Sequence, residues 1–72
     1  MSREISFFIY LIERYAAYKK TSADRILALW DSLDLTDFVY DMYELYHSER
    51  LQNAFDDIDV LIAERQSARQ TS

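Results

Sequence analysis

The chain contains no cysteine, no glycine and no proline among its 72 residues. Without cysteine there is no disulfide framework of the kind that staples small secreted domains. Without proline no helix is forced to stop, and without glycine no residue is set aside for a left-handed turn, so the sequence suggests turns that need none. Long apolar runs are also missing. The densest stretch, Ile5-Ser6-Phe7-Phe8-Ile9-Tyr10-Leu11-Ile12, is closed by Glu13 and Arg14 and is too short to cross ~30 Å of hydrocarbon. It makes a poor secretory leader as well, because Glu4 cancels Arg3 and Tyr15-Ala16-Ala17-Tyr18 is an unsuitable cleavage site. Positive charge is scarce: 8 bases stand against 13 acids, a net charge of −5. Nucleic-acid binding rests on Lys and Arg at phosphates, so this balance disfavours it and favours a basic protein partner.

What is present is a folding composition, half hydrophobic and 15% aromatic. The length suits one domain. At this size the hydrophobic gain and the ordering entropy nearly cancel, and a second protein surface is the staple left to a core with neither disulfide nor metal.

Caps and periodicity predict an all-α compact bundle of about four short helices. Ser2 caps a first helix from Arg3 to Lys19, with Ile5, Phe8, Ile9, Ile12, Tyr15 and Ala16 on its inner face. Thr21 and Asp24 resemble a capping box for a second helix, whose inner face is Ile26, Leu27, Trp30 and Leu33. Thr36 caps a third helix to His47, and Leu35 before it is placed to staple onto Tyr40. Ser48 caps the last, with Leu51, Ala54, Phe55, Ile58, Leu61 and Ile62 at helical spacing. The folded domain is expected over residues 1–63, with a frayed polar tail over residues 64–72.

Catalytic chemistry is thinly represented, and no enzyme activity, cofactor or metal is expected. His47, Ser48 and Glu49 are adjacent on the chain and point about 100° apart on a helix, so they cannot form a relay. His47 reads as a helix C-terminal residue that hydrogen-bonds carbonyls. Asp56, Asp57 and Asp59 fan around a helix axis, which suits a solvated face better than a cation site.

Two features point to binding. In the third helix Asp34, Asp37, Asp41 and Glu44 form a stripe opposite Val39, Met42, Tyr43 and Tyr46, and no Lys or Arg lies between Asp31 and Tyr46. Acids at this spacing repel by a few tenths of a kcal/mol per pair, a cost that a docking face for a basic partner would explain and a merely solubilising surface would not require. Tyr40 borders that stripe. In the first helix Phe7, Leu11 and Tyr18 form a second apolar stripe with Tyr10 at its flank, read either as a contact surface or as a side that the bundle wraps. The acidic stripe also disfavours a helix-turn-helix regulator, because phosphate would repel it.

The residues Phe8, Leu11-Ile12-Glu13, Tyr15-Ala16, Ala23-Asp24, Leu35-Thr36-Asp37-Phe38, Tyr40, Tyr43, Leu45-Tyr46-His47-Ser48 and Asp57-Ile58 together resemble a family of short bacterial proteins of unknown function, over about residues 5–62. Genes of that family often neighbour genes for ADP-ribosyltransferase-like proteins. The resemblance implies an antitoxin or accessory partner of such a toxin. Asp34 stands where members often carry glycine. The expectation is therefore a small cytoplasmic binding module, with a self-associating homodimer as the alternative.

Overall fold

The computed structural model describes residues 1–70. Its elements are α1 (Arg3–Tyr18), α2 (Ala23–Ser32), α3 (Thr36–Asp41), α4 (Tyr43–Tyr46) and α5 (Leu51–Gln70), with no strand among the described residues. The all-α bundle predicted from periodicity is the observed architecture. It has a radius of gyration of 12.0 Å.

The start of α1 follows its cap: the Ser2 hydroxyl accepts a hydrogen bond from the Ile5 N–H at 3.2 Å. The next two boundaries differ from expectation. The residue before α2 is Ser22, and Thr21 instead closes α1, its N–H bonding the Ala16 carbonyl at 2.9 Å. The Ser22 hydroxyl bonds Asp24, which holds that carboxyl below the usual carboxylate range. Thr36 opens α3 without capping it, because its hydroxyl donates to the Asp31 carboxylate. Leu35, predicted to staple onto Tyr40, is fully buried in the core.

Two turns do need left-handed residues. Lys20 has φ 59° and Asp34 has φ 57°. Each follows a helix end at which the next residue bonds back into the last turn: Thr21 to Ala16, and Leu35 to Trp30 at 2.8 Å. This double-bonded ending requires a left-handed residue, which glycine supplies without a Cβ clash.

The core gathers Leu11, Ile12, Tyr15 and Ala16 of α1, Ile26 and Trp30 of α2, Leu33 and Leu35 of the following turn, Val39, Tyr46, and Ala54, Phe55 and Ile58 of α5. Trp30 is at its centre, wholly buried, with the Phe8 and Tyr15 rings at 5.9 and 5.8 Å. Its indole N–H has no hydrogen-bond acceptor among the described residues.

Helix α1 is rotated relative to its predicted face. Leu11 is only 1% exposed, while Ile5 and Ile9 are 42% and 41% exposed. The cause is wrapping from the far end of the chain. Phe7 packs edge-on to Tyr43 and His47, and Tyr18 stacks on Phe55 with ring centres 4.9 Å apart. Leu27, also predicted to face inward, is partly exposed.

The last helix starts at Leu51, later than a Ser48 cap would place it, and continues to Gln70. The Ser48 hydroxyl donates to the Leu45 carbonyl instead. Where a frayed tail was expected from Glu64, Arg65 donates to the carbonyls of Leu33 and Asp34 at 3.0 and 3.2 Å. A cation there complements the negative end of α2, whose own last turn has no base. Residues 71–72 of that tail lie outside the described residues.

Candidate protein-binding surface

The acidic segment runs from the turn after α2 to α4. The predicted single helix over it is interrupted: the Met42 N–H turns back three residues to Val39, and Met42 has ψ 14°, so the helical ladder loses register for one residue. The four acids accordingly do not share one helix. Asp34 lies in the left-handed turn, Asp37 and Asp41 lie on α3, and Glu44 lies on α4. Asp34 and Asp37 are brought together with Asp31 and Thr36 around a shallow depression of about 180 Å³, which Asp41 and Glu44 do not line.

All four acids are exposed. Asp34 has a cation near it, Arg69, at 3.4 Å. Among the described residues no Lys or Arg forms an ion pair with Asp37, Asp41 or Glu44. The same segment exposes large apolar side chains: Phe38 is 39%, Tyr40 36% and Leu45 46% accessible. Tyr40 keeps one side of its ring toward Phe8, at 5.9 Å.

The other predicted surface does not exist as one. Leu11 is core and Phe7 is half-buried; Tyr18 alone stays exposed, at 46%, although its ring packs on Phe55 and its hydroxyl accepts from Gln52 at 3.3 Å. About half of the positions on a helix at most fit one face, so a helix apolar on nearly every side leaves its orientation to its neighbours. Here the rings of Tyr43, His47 and Phe55 pack onto the Phe7 and Tyr18 side, and Leu11 is buried.

His47 ends α4 as expected. Its Nδ1–H donates to the Tyr43 carbonyl at 2.6 Å, and its ring stacks on Tyr43 with centres 4.2 Å apart. The carboxylates of α5, read from sequence as a solvated face, are partly structural. Asp59 accepts from the Tyr15 hydroxyl at 2.5 Å and pairs with Lys19 at 2.9 Å, and Asp57 accepts from the Tyr46 hydroxyl at 3.1 Å. Burial first, then the bond to Asp59 and its charge, pushes the Tyr15 phenol above its usual range. Burial, then the charge of Asp57 and its hydrogen bond, does the same to Tyr46. The sequence did carry a signal here, since a tyrosine on a core face needs an acceptor for its hydroxyl.

The Lys19, Asp59 and Tyr15 group forms the polar end of an open cleft of about 480 Å³, walled by Ile26, Leu29, Ile62 and Ala63. Both charges of that end are already paired with each other. Among the described residues no three His, Cys, Asp or Glu side chains are arranged to hold a metal ion. No helix among them is long and apolar enough to cross a membrane.

No curated protein and no solved structure matches this chain. One family does match, over residues 6–65, and its description is "Protein of unknown function (DUF3791)". That span takes in every core residue and the whole acidic segment, and the chain belongs to this family.

Proposed function

We propose that this protein is a non-enzymatic binding module that docks a basic protein partner through Asp34, Asp37, Tyr40, Asp41 and Glu44, with Phe38 and Leu45 as apolar anchors. The observation that carries this reading is the combination on one short segment of three acids, Asp37, Asp41 and Glu44, that pair with no Lys or Arg among the described residues, and large apolar side chains left open. Acids that repel one another cost a free helix stability, and apolar groups gain nothing in water. Both terms reverse against a surface that is basic around apolar pockets. The partner that the family resemblance implies is an ADP-ribosyltransferase-like toxin in the cytoplasm, with this protein as its antitoxin or accessory subunit.

The test uses the ADP-ribosyltransferase-like protein encoded beside a family member, with binding and helicity measured at low and high salt. The expected result is binding that weakens as salt rises, mainly through slower association. The variant Asp37→Lys, Asp41→Lys, Glu44→Lys is expected to lose the complex and keep its helicity, because none of the three is in the core. Full affinity in that variant, without salt dependence, would reduce the segment to a solvated surface.

A further inference from the structure

The rotation of α1 leaves a helix face open that the rest of the chain does not cover. It is made of Arg3, Ser6, Ile9, Tyr10 and Glu13, all exposed, with Tyr10 52% accessible and Ile5 adjoining. Residues 3, 6, 10 and 13 alternate steps of three and four, the spacing of a seam along which two helices pack side by side. Ile9 flanks this line, and Tyr10 lies on it.

We propose that this face pairs with the same face of a second copy of the chain, the two α1 helices running antiparallel. Charge decides the occupant. In a two-fold dimer each patch meets itself, so a patch of one sign repels its own image. The α3–α4 segment, with three acids and no base, is excluded on that ground. Helix α1 is different: Arg3 and Glu4 at one end and Glu13 and Arg14 at the other sum to zero in a chain of net charge −5.

An antiparallel register that sets Tyr10 over Ser6 of the second copy also sets Arg3 opposite Glu13 of the second copy, because both pairs are centred on the same point of the helix. The symmetry repeats each pair, giving two salt bridges that flank two tyrosines. Helix α1 has 16 residues and is roughly 24 Å long. A single helix pair of that length is at the low end of specific interfaces, so the dimer forms at high protein concentration and separates on dilution. It leaves the acidic segment free, and does not depend on the binding role given to it above.

The experiment is sedimentation equilibrium of the full chain across concentrations reaching the millimolar range. The expected mass rises from 8.6 kDa toward twice that value. Arg3→Glu and Glu13→Arg each turn both bridges into like-charge contacts and are expected to weaken association about tenfold. Combining them restores opposite charges and should return association close to the parent. Circular dichroism on the same samples checks that each variant keeps its helices. A mass of 8.6 kDa at every concentration overturns the proposal. So does a dimer that neither single variant weakens, or a double variant with no recovery.

Discussion

Lys20 occupies a left-handed position, φ 59°, with its side chain exposed, so replacing it tests the backbone almost alone. A Cβ in this conformation crowds the following carbonyl and costs about 1–2 kcal/mol. Glycine removes that crowding but has more freedom to lose on folding, an offset of roughly 0.5–1 kcal/mol. The two bonds that close α1, Lys20 N–H to Ala17 and Thr21 N–H to Ala16, are made by the backbone and survive the change. Lys20→Gly is therefore expected to stabilise the protein by about 0.5–1 kcal/mol. In a domain this small each kcal/mol moves the melting temperature by roughly 4–8 °C. Ala17 provides the control: it is exposed and only three residues away, inside the last turn of α1, where Ala→Gly should cost about 1 kcal/mol. Thermal and urea melts followed by circular dichroism should move in opposite directions for the two variants. If Lys20→Gly melts below the parent, as Ala17→Gly does, the left-handed ending of α1 is wrong.

The core assignment is checked by Trp30→Ala, Phe55→Ala and Leu11→Ala, expected to cost about 3–5 kcal/mol for the aromatics and about 2–5 kcal/mol for the leucine. Trp30→Phe should recover part of the loss, since it removes an indole N–H that has no acceptor; denaturant midpoints that leave Leu11→Ala at the parent value would return that residue to the surface. Tyr15 and Tyr46 both hold their protons more tightly when folded, so their contribution is complete below the ordinary phenol range near pH 10 and is lost as pH rises above it. Stability measured against pH should fall beyond that point, and Tyr15→Phe or Tyr46→Phe should flatten the fall; an unchanged alkaline slope in both variants would contradict these hydrogen bonds.

Local chemistry was enough to place most helices. Ser2 fixes the start of α1 through a contact three residues away, and Ile26, Trp30, Phe55 and Ile58 repeat at a spacing that leaves one inward direction. These features depend on neighbours within a turn or two, and the sequence displays those neighbours directly. Helix α1 shows where that reasoning stops. With apolar residues on almost every side, its periodicity admits two inner faces, and only Tyr43, His47 and Phe55, folded back from more than 30 residues away, select the one that buries Leu11 and opens Ile9 and Tyr10. The same distance separates Tyr15 from Asp59 and Arg65 from the end of α2, which made solvated charges of groups that are anchors. The left-handed Lys20 and Asp34 belong to this class too, since the absence of glycine suggested turns that need no such residue. The packing of successive helices sets how sharply the chain must turn, and that constraint overrides a local cost of one or two kcal/mol.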